Sequence, residues 1–488
     1  MEQASIRKNF IFRACYEILL LITPLITTPY IARVLCSDGV GIASYTGSIM
    51  AFFTMFAALG TPQYGMREIA RSRDDPEKAT RLFWEIELMT VFTSLVCLAA
   101  WLGVCYYYKE YSPYLYAMIP TLLGTMFDIS WFFTAYEKVG YTVGRNAFFK
   151  ILGIVLLFTF IKSKNDLLLY IFLMSLTGML GSLSMWTYLP KMLVKTDLQG
   201  LRFKKHFQET LVYFVPTIAT SIYTILDKFL LGVIVSNNDI NGYYDQAGRL
   251  YHIINALVFT ALNAVMEARV SYLFAKGADE EIRQRIRRSI DFTMLLGCGG
   301  VFGIVGIARV FVPVFWGPGW DAVETLIYLM APLTLIIGVS YCLGSLYYNP
   351  SGNRAQSARY LIAGACVNLI LNLLLIPRWN AVGAVIASLV AEGTITCLYV
   401  RNCRGYLTVR TLADVTWKRL LAGAAMCLLV MALGRLPLSS GILKLMIQIP
   451  AGAAFYTAAL YLARDGMLRE LLALIPAALK KLTGGKKE

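Results

Sequence analysis

Apolar positions along this chain fall in long unbroken runs closed off by charge, proline or glycine, not in the alternating or 3.6-residue patterns of half-buried elements. Most runs reach the roughly 20 residues that a helix needs to cross a hydrocarbon core. The first six are Phe10 to Leu35, Val40 to Thr61, Leu82 to Cys105, Tyr114 to Tyr136, Ala147 to Ile161 and Leu167 to Leu189. After a basic connector, Lys191 to His206, come Leu211 to Val235, Tyr243 to Met266, Ile290 to Val312, Ala322 to Tyr348, Ala355 to Ile376 and Val382 to Val400. Two more, Val415 to Leu433 and Ile442 to Ala463, precede an amphipathic tail from Met467 to Leu482 that ends near Lys486 and Lys487. The pattern predicts an all-α integral membrane protein of fourteen transmembrane helices, arranged as two parallel six-helix lobes plus two C-terminal helices. The corresponding segments are an N-terminal lobe (1–190), the connector (191–207), a C-terminal lobe (208–403), and two extra spans with a basic tail (404–488).

Charge orients the spans. Basic residues in short loops mark the cytoplasmic side. With fourteen spans, the termini and every even-to-odd connector share one side, and 34 Lys and Arg fall there against 8 on the other. Both termini are therefore expected in the cytoplasm, with the chain in the plasma membrane. The start, Met1 to Phe12, runs into the first apolar stretch without a cleavage-site pattern and reads as part of a span, not as a removable signal.

Composition agrees. The 488 residues are 57% hydrophobic and 15% charged, with mean hydropathy +0.60, whereas soluble chains carry about 25% charged residues. In a soluble protein the net charge of +15 would suggest nucleic acid; here it is accounted for by basic loops facing anionic lipid, and no nucleic-acid partner is expected. The ten cysteines form no C-x-x-C pair and read as small packing residues. The sequence holds neither a phosphate-binding loop nor a hydrolase elbow, and no metal-spaced His/Cys cluster accompanies the two histidines, His206 and His252. No cofactor or metal, no ATP engine and no enzymatic activity are expected. Gly297, Gly299, Gly300, Gly303 and Gly306 lie inside the ninth span and read as a surface for close helix contact.

The six–connector–six arrangement points to duplication. Val40-Gly41-Ile42-Ala43-Ser44-Tyr45 opens the second span much as Asn241-Gly242-Tyr243-Tyr244-Asp245-Gln246 opens the eighth, and the loop Arg67 to Lys78 matches Arg269 to Glu281. An even number of spans per repeat gives parallel halves related by an axis along the membrane normal, with a binding site expected in the cleft between halves.

Several segments make the chain similar to a known family. They are Pro29 to Leu35 with Gly39 and Gly41; Leu59-Gly60 with Tyr64 to Ala70; Asp227-Lys228-Phe229 with Gly242-Tyr243-Tyr244; and Asn368 through Asn372, Ile376-Pro377, Gly383-Ala384 and Ala391-Glu392. Over nearly its whole length the sequence resembles the polysaccharide repeat-unit flippases of the multidrug, oligosaccharidyl-lipid and polysaccharide exporter superfamily. One departure is Cys36, where such sequences usually carry glycine; it is expected to stiffen the outer end of the first span. The resemblance implies movement of undecaprenyl-pyrophosphate-linked sugar units from the cytoplasmic to the outer leaflet for a surface polysaccharide such as capsule or O-antigen. Expected partners are the lipid-linked oligosaccharide, membrane lipids and polysaccharide assembly proteins.

Ionisable groups at bilayer depth cost roughly 3 kcal/mol or more, so each needs a partner or a watery cavity. Arg13 and Glu17 share a face of the first span, as an intrahelical pair or as a cavity cation with its counter-charge. Arg33 is a second cavity cation, or snorkels to outer headgroups. Pro24 and Pro29 between them mark a gate or a static kink. Lys228, if it faces the cavity, offers three donors to pyrophosphate while Asp227 balances charge or takes H⁺ or Na⁺; otherwise neighbouring helices satisfy both. Arg249 sits four residues after Asp245, as a cavity cation or a structural pair. Asp128 and Glu392 are candidate proton or cation sites, with burial of a protonated acid as the alternative. Asn368 and Asn372 share a face that could meet sugar hydroxyls or tie two helices together. Tyr106, Tyr107 and Tyr108 read as an interfacial belt. Coupling to H⁺, Na⁺ or the membrane potential would set direction. Competing readings are a drug/cation antiporter or peptidoglycan-precursor flippase of the same superfamily, a membrane enzyme using the same lipid carrier, and a non-transporting scaffold.

Overall fold

The computed structural model describes residues 6–197 and 199–473. Fifteen α-helices and no strand occur among the described residues. They are α1 (Ile6–Ala58), α2 (Thr61–Arg71), α3 (Pro76–Tyr107), α4 (Ser112–Ala117), α5 (Ile119–Met126), α6 (Ser130–Ala135), α7 (Val139–Phe160) and α8 (Leu167–Met185). There follow α9 (Phe203–Ile234), α10 (Asn238–Lys276), α11 (Asp279–Phe315), α12 (Asp321–Leu343), α13 (Arg354–Asn402), α14 (Val409–Gly434) and α15 (Gly441–Leu462).

Ten helical segments among the described residues are long and apolar enough to cross a membrane, so this is a multi-pass membrane protein. Large apolar side chains that would be hidden in a soluble protein, such as Phe92, Leu428 and Leu462, are exposed. Backbone hydrogen bonding closes within each helix, the condition that hydrocarbon imposes. Tyr106 and Tyr107 are also exposed at the end of α3, as expected for a belt.

Two of the ten segments run 57 and 49 residues, far more than a hydrocarbon core of about 30 Å requires. The first joins most of α1 to α2 across Leu59 and Gly60, and α1 and α13 are each broken once inside. In α1 the break is at Cys36 (φ 57, ψ -179), directly after Leu35, where the first apolar run ends. In α13 it is at Asn380 (φ 50, ψ -129), between the two runs read from the sequence there. At Pro24 and Pro29, read from the sequence as a gate or kink, the backbone stays helical, and the break inside α1 falls at Cys36. Cys36 therefore does not stiffen a helix end. It holds a left-handed turn in which a Cβ is unfavourable and glycine would be at ease.

The stretch read as one span from Tyr114 to Tyr136 is three short helices, α4 to α6. Pro113 and Pro120 each sit in the first turn of their helix, where a missing N–H costs nothing. The carbonyl freed at Phe127 accepts from Trp186 Nε1 at 2.9 Å, and Asp128 Oδ1 accepts from the Ser130 N–H at 2.9 Å. Side chains cap the N-termini of α3 (Asp75), α14 (Thr408) and α15 (Ser440).

The chain divides into two compact units, Met1–Asp245 and Gln246–Glu488. The connector is held in the first: Arg81 Nη2 donates to the carbonyls of Gln199 and Gly200 at 2.9 Å, and Val194 N–H donates to Thr80 Oγ1 at 3.2 Å. The core of this unit is aromatic, built on Tyr64, Phe83, Trp131, Phe132 and Phe133. In the second unit Gly306 packs on Val430 and Gly299 on Tyr456, as the glycine-rich patch predicts. All ten cysteines are free, and five are buried.

Candidate functional site

Polar groups are concentrated in the first unit where α9, the start of α10 and the break in α1 come together. Asp227, 2% exposed in α9, accepts from the Tyr244 hydroxyl at 2.6 Å. Its neighbour Lys228 donates from Nζ to Asp245 Oδ1 at 2.5 Å. Residues adjacent in a helix point about 100° apart, and α10 meets both by presenting two adjacent partners of its own. Asn241 extends the seam, donating to the Lys228 carbonyl at 2.7 Å and accepting from Ser44 Oγ at 3.1 Å. At the break, Ser37 Oγ donates to Asp239 Oδ1 at 2.5 Å and Asn238 Nδ2 donates to Asp38 Oδ1 at 3.1 Å. Glycine permits this approach: a Cβ on Gly41 would lie 1.8 Å from the Asn238 carbonyl oxygen, and one on Gly242 2.3 Å from that of Ser37. Two segments that resemble each other in sequence thus pack against each other through their glycines.

In the sequence, Asp227 stands beside Lys228 as a possible charge balance or cation site, and Asp245 lies four residues before Arg249. The structure pairs Lys228 with Asp245, across two helices. The Lys228 side chain keeps 28% of its exposure and Asp245 only 3%, so the ammonium is the accessible half of the pair. Arg33 and Arg249 are exposed. Glu17 is exposed, and the Arg13 side chain lies outside the described residues.

In the second unit Asn368 and Asn372 are wholly buried. Asn372 Nδ2 donates to Asn368 Oδ1 at 3.0 Å, and Asn368 Nδ2 to Ser388 Oγ at 3.3 Å, tying together the two halves of α13. These two hydrogen bonds make a tie within α13. Glu392 is buried in the same helix. A groove of about 630 Å³ runs beside α11, α14 and α15, lined by residues such as Leu296, Gly299, Gly300, Gly303, Met426 and Ile449. The glycines remove side chains from its floor, and its walls are overwhelmingly apolar.

Sequence reasoning passed over three buried polar groups. His206 is 2% exposed, its Nδ1 lying 2.7 Å from the Tyr64 hydroxyl and its Nε2 2.7 Å from Glu85 Oε2. Arg81 Nε completes that chain at 3.4 Å from Glu85. Arg419, 2% exposed, binds Asp465 through Nε and Nη2 at 3.0 and 3.1 Å and reaches Asp291 at 2.6 Å. Glu87, 1% exposed, has no hydrogen-bond partner for either carboxyl oxygen among the described residues. Only the charges themselves signalled these groups, since each was placed in a loop or at a span edge.

Residues 6–266 match the family model described as polysaccharide biosynthesis protein. The chain belongs to this family. A putative O-antigen transporter of Escherichia coli (strain K12) is 23% identical over 415 residues, 82% of this chain and 98% of that one. A probable low-salt glycan biosynthesis flippase of Haloferax volcanii is 23% identical over 220 residues, 44% of this chain and 46% of its own. Among solved structures, the lipid II flippase MurJ in an inward closed conformation superposes with a TM-score of 0.67 at 14% identity, covering 94% of this chain and 99% of that one. At that identity the likeness establishes a shared fold. The family's members therefore offer a transporter frame in which to read the polar seam and the groove.

Proposed function

We propose that this protein is a flippase for lipid-linked oligosaccharides, carrying undecaprenyl-pyrophosphate-bound repeat units across the plasma membrane for assembly of a surface polysaccharide. The observation that carries the reading is the correspondence with the putative O-antigen transporter, which spans 98% of that relative and 82% of this chain. In this reading the two long broken helices each cross twice, and α9 and α10 cross as well, giving fourteen spans with both termini in the cytoplasm.

Elementary energetics define the task. Each sugar hydroxyl carried unpaired into hydrocarbon costs several kcal/mol, and a pyrophosphate costs far more. A carrier must shelter the head group while leaving the isoprenoid tail in an apolar setting. The groove beside α11, α14 and α15 suits the tail, being apolar and floored by glycine. Lys228 suits the pyrophosphate: an anion can displace Asp245 from its three donors, exchanging one counter-charge for another. Exposing the head group alternately to the two faces of the membrane would complete the transfer, with the membrane potential, a coupled cation or consumption of product outside giving direction.

Deleting the gene tests the assignment. Lipid-linked oligosaccharide is expected to accumulate on the cytoplasmic leaflet, with loss of the surface polymer. Normal polymer and no accumulation would refute it.

A further inference from the structure

The first unit holds a cavity of about 280 Å³ bordered by α2, α3, α5, α6 and α8. At about 30 Å³ for each water in the liquid, that is room for one sugar ring and not for a chain of them. Hydroxyl side chains crowd its lining: Thr61, Thr90, Thr121, Thr125, Ser175 and Ser182. Thr90 donates to Thr61 Oγ1 or to the Ile86 carbonyl, at 3.1 and 3.0 Å, and Thr125 donates to the Thr121 carbonyl at 3.2 Å. The hydroxyls of Thr121, Ser175 and Ser182 make no hydrogen bond among the described residues. Asp128, at the turn between α5 and α6, spends Oδ1 on the Ser130 N–H at 2.9 Å, and its other oxygen has no partner among the described residues. Trp131, also in the lining, is 3% exposed, and its Nε1 has no partner among the described residues. Its ring is held from two sides. Phe83 stacks on it with centroids 5.7 Å apart, and Gly65 lies against the benzo edge, where a Cβ would come 2.5 Å from Cε3.

These groups define what can fill the space. A carboxylate takes only donors and an indole N–H gives only to acceptors, so an occupant that satisfies both must offer both, as hydroxyls do. A bare cation would meet Asp128 and leave the Trp131 donor unanswered. An anion, a pyrophosphate included, would face Asp128 with no lysine or arginine in the lining to offset it. An apolar chain would strand the hydroxyls. A pyranose meets every requirement, with hydroxyls around its rim and C–H faces to lie on Ala58, Met174 and Met179. Water satisfies the same polar groups and is what such a ring would displace.

We propose that this cavity is a subsite for one uncharged sugar residue of the transported oligosaccharide, with Asp128 accepting from hydroxyls of the ring and Trp131 Nε1 donating to one of its oxygens. The proposal rests on the transport reading and adds a means of telling one repeat unit from another. Lys228 is not in the lining, so sugar and pyrophosphate are recognised by different residues. A unit lacking the hydroxyl that Asp128 accepts leaves the carboxylate without its donor, and sites built on such hydrogen bonds discriminate strongly.

The test compares two probes on purified full-length protein in detergent: the lipid-linked oligosaccharide extracted from cells lacking this gene, and sugar-free undecaprenyl pyrophosphate. Binding is measured for wild type, Asp128→Asn and Gly178→Leu. The amide in Asp128→Asn keeps an oxygen to cap the Ser130 N–H. Gly178 lines the cavity from α8, and a Cβ there meets nothing within 4 Å, so the leucine takes up cavity space without a clash. Wild type should bind the sugar-bearing lipid about tenfold or more tighter than the sugar-free one. Both variants should lose most of that preference and keep the wild-type affinity for undecaprenyl pyrophosphate. The proposal is overturned if wild type binds the two probes equally, or if both variants keep the wild-type preference. Should Gly178→Leu fail to fold, Asp128→Asn carries the same comparison. Equal binding of both probes by wild type removes the sugar subsite and leaves the transport reading standing, whereas binding of neither removes both.

Discussion

Cys36 holds a φ of 57° with ψ near 180°, a region almost reserved for glycine. The strain is repaid because the turn lets Ser37 and Asp38 reach α10. Cys36→Gly should therefore stabilise the protein by about 1 kcal/mol, read as a higher thermal midpoint; an unchanged or lower midpoint would show that the thiol contributes what the backbone loses. Arg419 is the opposite case, a fully buried guanidinium whose charge is balanced by Asp465 and Asp291. Removing one member of such a group leaves an uncompensated charge inside, so Arg419→Ala should cost about 3–5 kcal/mol, visible in thermal unfolding. Neither effect was legible in the sequence. Cys36 stood out only by departing from the family pattern, and Arg419 and Asp465 are 46 residues apart, beyond any local rule.

Between elements, α9 and α10 are joined by Tyr244–Asp227 and Lys228–Asp245, and α10 reaches α1 through Asn238, Asp239 and Asn241. The sequence pointed to these residues because charges are scarce in apolar runs, and it singled out Gly41 and Gly242 because their surroundings repeat. It did not foresee the Lys228–Asp245 bridge, since helical spacing points to i,i+4 pairs and this bridge crosses helices. A double-mutant cycle separates structural from functional roles. Lys228→Ala and Asp245→Ala should each destabilise the protein, and the double variant by less than their sum, with a coupling of about 0.5–3 kcal/mol. Transport should not recover in the double variant, because the donor to pyrophosphate is gone. Recovery of both properties together would make the pair purely structural.

For the whole molecule, hydropathy and loop charge were enough to establish the all-helical, multi-pass class, because the bilayer selects residues one segment at a time. They could not place the division at Asp245/Gln246, the three-piece form of Tyr114 to Tyr136, or the buried chain Tyr64–His206–Glu85, whose links span 142 and 121 residues. Those features depend on which helix faces meet. The claim that most depends on all scales together is movement of a lipid-linked oligosaccharide. Purified protein should be reconstituted into liposomes containing a fluorescent undecaprenyl-pyrophosphate oligosaccharide, and the label then quenched from outside by a reagent that cannot cross the bilayer. Wild-type vesicles should lose their inner-leaflet fluorescence as labelled lipid reaches the outer face, while vesicles bearing Lys228→Ala should retain it. Retention by wild-type vesicles, at the level of protein-free liposomes, would contradict the account.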